Sequence, residues 1–284
     1  MSVTGGTKLA AVIGLPVGHS ISPCLHGYWL NHHGIDGAYV PLAVRPEDLA
    51  DVARLLPRIG FVGFNVTVPH KEAALALVDE ADPEALRIGA VNTVIVEADG
   101  RLRGKNTDAF GFLQGLRAGL PDWDPGHGPA VVFGAGGASR AVCAALIGAG
   151  VTELRLVNRT LARAEAVAHD FGNTVACVPW RGRAEALDGA ALLVNTTTQG
   201  MTGEPPLDLD LTSLSTTAAV MDIVYAPLET PLLANARARG NRVIDGLGMI
   251  LHQGRPGFAA WFATEPEVTE DLRRHVLERL DAKA

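Results

Sequence analysis

The chain has 284 residues, 48% of them hydrophobic and 19% charged, with a net charge of −7. That length is long for one core and accommodates two domains, in the composition of a soluble globular protein. The net negative charge gives no footprint for nucleic acid or an anionic membrane, while a local site can still bind a small anion. Cys24, Cys143 and Cys177 are too few and too scattered for a disulfide framework or a zinc site. The N-terminus has no signal-peptide h-region, and no apolar run approaches the ~18 residues of a membrane span, so a cytoplasmic protein is expected.

In chain order, Lys8–Gly14 reads as a short buried strand, followed by a loop marked by Pro16 and Gly18. Ser22-Pro23 reads as a helix start, with Ser22 as N-cap, and the helix is expected to stop at Gly34. Strands over 38–44 and 61–68 alternate with helices from Pro46 and Lys71, which implies a mainly parallel sheet covered by helices. Residues 91–97 and 101–106 flank Ala98-Asp99-Gly100, a hairpin signature, and Asp108 opens a helix ending near Gly119. Residues 121–129, with three prolines and two glycines, form a loop between units.

From Ala130 the chain reads AVVFGAGGASR: a buried strand, a glycine turn and a helix start. Glycines let the backbone turn tightly and approach a pyrophosphate, and the helix N-terminus offers N–H groups and the positive dipole end. Gly134, Ala135, Gly136, Gly137 and Ala138 are the cofactor-binding candidates; Ser139 stands where the fingerprint has glycine or alanine. Further strands are expected at 153–157, 174–178, 192–195, 219–222 and 242–244, completing a doubly wound sheet. Two helices fill the tail, 248–280.

The second strand of that sheet ends in Asn158-Arg159-Thr160, with Arg163 one turn on, and no carboxylate takes the usual ribose position. Guanidinium groups there suit a 2′-phosphate, hence NADP(H); ordinary surface arginines at a helix start give the same letters. In GFNVTVPHKE, Asn65 and Thr67 share a strand face, and Lys71 follows at the C-terminal end of the strand. Ligands of open parallel sheets gather there, and three polar side chains in one cleft would fix a polyhydroxylated substrate. A lysine at a helix start opposes the dipole, which argues for a use in chemistry. A carboxylate such as Asp108 beside Lys71 would favour its ammonium form, able to protonate an alkoxide as hydride reaches a carbonyl carbon. Asp108 equally suits a helix N-cap. Asn92 in GAVNTV adds a further polar group. Ser20 and Ser22 are two apart and would present both hydroxyls to a carboxylate, or serve as one cap and one solvated serine. The histidines, His19, His26, His32, His33 and His70 among them, form no metal-ligand set.

Eight stretches, GLPVGHSISP, GFNVTVPHK, GAVNT, NTDAFG, GAGGASR, NRT, DIVYAPLETPLL and DGLGMILHQG, stand in the order seen in shikimate dehydrogenases. The chain resembles that family from about Ala11 to Phe262; each motif is modest, and eight in order are specific. The resemblance implies an NADPH-dependent, reversible reduction of 3-dehydroshikimate to shikimate in aromatic amino-acid biosynthesis. It implies Lys71 as the catalytic lysine with Asp108 as its partner, and Ser20 and Ser22 as the substrate-carboxylate serines. It places Thr67, Asn92, Asp108, Tyr225 and Gln253 on the substrate. Gly134 to Ala138, Asn158, Arg159, Thr160, Arg163, Ile223 and Gly246 fall on the cofactor, and the 195–201 stretch beside the nicotinamide. Gly27 departs from the asparagine usual after the histidine of the first motif.

The layout this implies is an α/β chain of two domains. A discontinuous, mainly parallel substrate domain holds residues 1–108 and 247–284, and a doubly wound NADP-binding domain holds 109–246, with a cleft between them. A monomer or homodimer is expected. The rival readings are a quinate/shikimate dehydrogenase using NAD and a non-catalytic NADP-binding protein on the same scaffold. The arginines and the paired serines argue against the first, and retention of Lys71 and Asp108 against the second.

Overall fold

The computed structural model of the chain describes residues 3–282. Contacts divide it into two units, Met1–Thr107 with Gln253–Ala284, and Asp108–His252. Asp108 and residues 247–252, expected in the first domain, therefore cluster with the second.

The first unit runs β1 (Lys8–Gly14), α1 (Ser22–His32), β2 (Gly37–Ala43), α2 (Leu49–Arg58), β3 (Phe61–Val66), α3 (Lys71–Leu75), β4 (Glu80–Ala81), α4 (Pro83–Ile88), β5 (Thr93–Val96) and β6 (Leu102–Lys105). Its sheet has the order β2-β1-β3-β5-β6-β4. β1 pairs parallel with β2 and β3, whereas β5 is antiparallel to both β3 and β6, so the sheet is mixed. Ala10, Ala11, Val12 and Ile13 are all buried, as expected of a strand covered on both faces. The pairing of β3 with β5 sets Asn65 opposite Thr93, a register with consequences for the site.

The α4 helix is not among the elements expected from the sequence. Asp82 caps it, accepting the Ala85 N–H at 2.7 Å; Pro83 lies in its first turn, and Gly89 ends it at φ +76°. The helix expected from Lys71 is short, stopping at Leu75. Ala11, Ile13, Phe64, Val66, Val91 and Val94 centre the core beneath α2 and α3. On the other side, Trp261 donates its indole N–H to the Val94 carbonyl at 3.0 Å. Gly63 makes that possible, because a Cβ there would lie 1.9 Å from the indole nitrogen.

The second unit contains α5 (Asp108–Gly119), β7 (Ala130–Phe133), α6 (Gly137–Ala149), β8 (Leu154–Asn158), α7 (Leu161–Phe171), β9 (Val175–Pro179), β10 (Leu192–Asn195), β11 (Ala219–Asp222), α8 (Pro231–Ala238) and β12 (Arg242–Ile244). The border to the first unit falls within α9 (Leu247–Phe262), and α10 (Glu270–Asp281) closes the chain. The sheet order is β12-β11-β10-β7-β8-β9 with every pairing parallel. This is a doubly wound sheet whose strand order reverses between β7 and β10, where such folds bind ligands. Val131, Phe133, Leu193 and Val220 fill one of its faces, packed with Leu232 and Leu233 of α8. Among the described residues no helix is long and apolar enough to cross a membrane.

Candidate active site

The glycine turn of the second unit sits at the switch point. Gly134 follows β7 at φ +112°, a backbone that side chains rarely adopt, and a Cβ there would stand 2.5 Å from the Thr196 hydroxyl. Ser139 is fully buried, and its hydroxyl donates to the Gly134 carbonyl at 2.7 Å, tying the first turn of α6 to the end of β7. Gly136 is the N-cap of α6 and makes no side-chain cap bond, so the helix offers its first-turn N–H groups outward. A Cβ at Gly136 or Gly137 would meet no heavy atom within 4 Å. Packing therefore does not demand glycine at either position, and the space in front of both is open.

At the end of β8, the Asn158 amide donates to the Thr160 carbonyl at 2.8 Å, and Thr160 caps α7 in extended backbone. Arg159 and Arg163 are exposed, and neither enters an ion pair among the described residues. A glycine turn with an uncapped helix start and two guanidinium groups at the second strand fits a phosphorylated dinucleotide.

The loops after β10 and β11 are held by a buried carboxylate that the sequence did not single out. Asp222 is 0% exposed; its Oδ1 accepts the Val224 N–H and the Asn195 amide, each at 3.0 Å, and its Oδ2 accepts the Thr230 hydroxyl at 2.8 Å. Burial raises this carboxyl above the usual range against the lowering effect of those bonds. Asn195 also accepts from the backbone N–H and hydroxyl of Thr197. Ile223 and Gly246 meet closely: a Cβ on Gly246 would lie 2.2 Å from the Ile223 carbonyl, so glycine is a packing requirement there. Tyr225 follows on the same loop, half-buried, its phenol raised by desolvation and so a neutral hydrogen-bonding group.

In the first unit, a buried hydrogen-bonded network at β3 and β5 joins Asn92 and Gln253, two of the expected substrate residues, with Asn65. Asn65 is buried at 6% exposure, and its amide donates to the Asn92 carbonyl at 3.1 Å and the Thr93 hydroxyl at 3.0 Å. Asn92 Oδ1 accepts from the Thr107 N–H at 2.8 Å and the Thr93 hydroxyl at 3.0 Å, and its amide donates to Gln253 Oε1 at 3.4 Å. Thr67 is half-buried just past β3 and bonds through its N–H to the Ile13 carbonyl. Lys71 is half-buried in the first turn of α3, its carbonyl held by the Val91 N–H. Beside it His70 is buried and bonded through Nε2 to the Val44 carbonyl at 2.8 Å, which occupies it structurally. Asp108 is buried at the start of α5, within the second unit.

The paired serines differ from the expected cap. Ile21, not Ser22, is the N-cap of α1, and its own side chain makes no cap bond. Ser22 lies inside the first turn, its N–H donating to the Ser20 hydroxyl at 3.3 Å. The Ser20 hydroxyl thus serves the first turn from outside it, and the buried Tyr39 phenol donates to Asn65 Oδ1 at 2.6 Å. Tyr39, Thr93 and Thr107 belong to this polar network and were not read from the sequence. Their signal lies in sheet register, which spacing along one strand does not carry.

Residues 12–94 match the model of the shikimate dehydrogenase substrate binding domain, and residues 127–202 that of shikimate / quinate 5-dehydrogenase. The chain is 61% identical to a shikimate dehydrogenase (NADP(+)) of Paramagnetospirillum magneticum, over 97% of this chain and all of the relative. A shikimate 5-dehydrogenase of Thermus thermophilus, solved with NADP(H) and shikimate, superposes with TM-score 0.85 at 40% identity, covering 98% of this chain and 100% of that one. A quinate dehydrogenase of Corynebacterium glutamicum, solved with NAD, superposes with TM-score 0.88 at 33% identity, over 97% and 99% of the two chains.

Proposed function

The chain belongs to the shikimate dehydrogenase family, and from that membership we infer that it is an NADP-dependent shikimate dehydrogenase. It reversibly reduces 3-dehydroshikimate to shikimate, a step toward chorismate and the aromatic amino acids. One observation carries the cofactor choice: the second strand of an intact dinucleotide sheet ends in Asn158, Arg159 and Thr160, followed by Arg163, with no carboxylate. Gly134 to Ala138 would hold the pyrophosphate, Asn158 to Arg163 the 2′-phosphate end, and Ile223 and Gly246 the nicotinamide side. When bound, the cofactor supplies the hydride.

The remaining chemistry belongs to side chains. Ser20 and Ser22 donate hydroxyl hydrogens to the substrate carboxylate, and Thr67, Asn92, Tyr225 and Gln253 hold its oxygens. Lys71, as an ammonium, gives a proton to the carbonyl oxygen as that oxygen becomes an alkoxide, and takes one back in the reverse direction. Asp108 keeps the lysine charged and placed. Fixing the substrate by several groups at once holds the carbonyl in one orientation while the proton moves.

The test is steady-state kinetics with shikimate and with quinate, each with NADP+ and NAD+. A higher kcat/KM for shikimate with NADP+ than for any other pairing is the expected result. Preference for quinate with NAD+ overturns the assignment.

A further inference from the structure

His70 stands at the N-cap position of α3 without capping it. Its side chain turns to another strand: Nε2 lies 2.8 Å from the Val44 carbonyl oxygen, and the residue is 1% exposed. A carbonyl only accepts, so Nε2 carries the hydrogen and donates it. In the sheet order β2-β1-β3, α3 follows β3 and Val44 follows β2. The imidazole therefore reaches across the end of β1, tying the turn before Lys71 to a strand with which β3 does not pair. Val44 is itself anchored, its N–H donating to the Gly14 carbonyl at 3.2 Å and its side chain in the same apolar cluster as Ala74 of α3.

The rest of that turn is held by backbone. The Thr67 N–H donates to the Ile13 carbonyl at 2.8 Å, and the Leu15 N–H to the Val68 carbonyl at 3.0 Å, both from the β1 side. Gly14 gives Thr67 its seat, because a Cβ there would lie 2.5 Å from the Thr67 Cγ2. Val68 and Pro69 are exposed, and the chain re-enters the interior at His70. Beyond it the Lys71 carbonyl accepts the Val91 N–H at 2.9 Å. The α3 helix has five residues, too few to hold itself without tertiary support. Thr67 is thus placed by β1 whatever His70 does. The first turn of α3, which sets where Lys71 leaves the backbone, has His70 as its link to β2.

We propose that His70 is a positioning residue for the proton transfer, its Nε2–H bond to Val44 setting the first turn of α3 so that the Lys71 ammonium meets the substrate oxygen. The proposal rests on the reading of Lys71 as proton donor. Proton transfer is steep in geometry, and a displacement of about 1 Å at a catalytic group costs on the order of 10²-fold. Substrate contacts made through Thr67 lie on the β1 side of the turn and keep their own anchors. Loss of the bond should therefore appear in turnover and not in binding.

His70→Phe keeps a buried ring and removes the bond. The kcat for shikimate oxidation should fall by roughly ten- to a hundredfold, while the KM values for shikimate and NADP+ each stay within about threefold. His70→Gln should bring kcat back to within about threefold of wild type, its amide N–H standing in for Nε2–H. His70→Asn, one carbon shorter, should behave like His70→Phe. In a Lys71→Ala background His70→Phe should cost less than about threefold more, since no ammonium is left to place; a purely structural role takes the same factor from both backgrounds. Thermal melts establish that each variant is folded at the assay temperature, and if His70→Phe is not, the Gln and Asn pair decides. Unchanged kcat in the Phe and Asn variants, a loss confined to the shikimate KM, or full additivity with Lys71→Ala overturns the proposal. A Lys71→Ala enzyme with near-normal turnover overturns the lysine reading and this proposal with it, whereas an impaired Lys71→Ala beside an indifferent His70→Phe removes His70 alone.

Discussion

The Ser139 hydroxyl donates to the Gly134 carbonyl at 2.7 Å, so the residue that departs from the glycine fingerprint is the one that pins its turn. Glycine or alanine is usual there because helix and strand pack closely; serine adds one small atom and spends it on a buried carbonyl. Ser139→Ala should cost about 1 kcal/mol of stability and raise the NADPH KM modestly, by loosening the turn without blocking it. Ser139→Val adds volume at a fully buried site and should cost roughly 1–3 kcal/mol. Urea unfolding of the two variants checks this; equal stability in both and in wild type would discard the account.

Arg159 and Arg163 stand exposed at the end of β8, with no partner to lose among the described ion pairs. Neutral replacements there should leave the melting temperature unchanged. Each should raise the NADPH KM by about tenfold or more, the value of a charge-assisted bond, and leave the NADH KM nearly fixed. Equal effects on the two cofactors would detach both arginines from the 2′-phosphate.

Lys71 lies in the first turn of α3, and its proposed work is done only as charge develops on the substrate oxygen. Lys71→Ala should lower kcat by roughly 10²–10⁴-fold. The shikimate KM should change little, because a group acting in the transition state contributes little to ground-state binding. A variant with near-normal turnover would remove Lys71 from the chemistry.

What the sequence disclosed follows from the range of the forces involved. The strands of the second sheet are runs of buried aliphatic residues between turn signals, and all of them lie within a residue or so of where those runs place them. The α4 helix has a local signal in Asp82-Pro83, a cap followed by a first-turn proline, but the segment is too short for apolar periodicity to mark it. The Ser22 cap failed for a different reason: the helix begins one residue earlier, with Ile21 as N-cap, and Ser20 supplies the local bond to the first turn. The Tyr39, Asn65 and Thr93 set depends on which residues face each other across β2, β1, β3 and β5. No spacing within one strand encodes that register. Asp222 is of the same kind, its three partners arriving from β10, from its own loop and from the cap of α8.

His26 gives an acid-side prediction. Neither ring nitrogen has a hydrogen-bond partner, and burial lowers its pKa to about 3 from 6.5. The unfolded chain therefore takes up a proton below pH 6.5 that the folded chain refuses until near pH 3, and stability falls as pH drops through that window. Between pH 7 and pH 5 the loss should be about 2 kcal/mol. His26→Leu has no proton to take up, so its stability should vary less over the same range by that amount. Unfolding curves at the two pH values decide it, and identical pH dependence in variant and wild type would refute the assignment.

Asp222 works in the opposite direction. Its carboxyl is raised by burial, so the folded state holds a proton at pH values where the unfolded chain has already released it. Its contribution is greatest below the ordinary carboxylate pKa and is lost as pH rises through the higher folded value. Asp222→Asn removes that dependence and keeps the connections. The amide oxygen can still accept from Val224 and Asn195, and the amide nitrogen can donate to the Thr230 hydroxyl, which already accepts the Leu233 N–H at 3.3 Å. Asp222→Ala leaves all three donors without an acceptor, at about 1–3 kcal/mol for each that stays dry. The ordering in urea at pH 7 should be Asn at or above wild type and Ala well below both. The NADPH KM should rise in Ala alone, because Val224 lies between Ile223 and Tyr225 on the loop that the carboxylate holds. Equal stability of the Asn and Ala variants would mean that the buried charge, and not the three hydrogen bonds, is what the loop responds to.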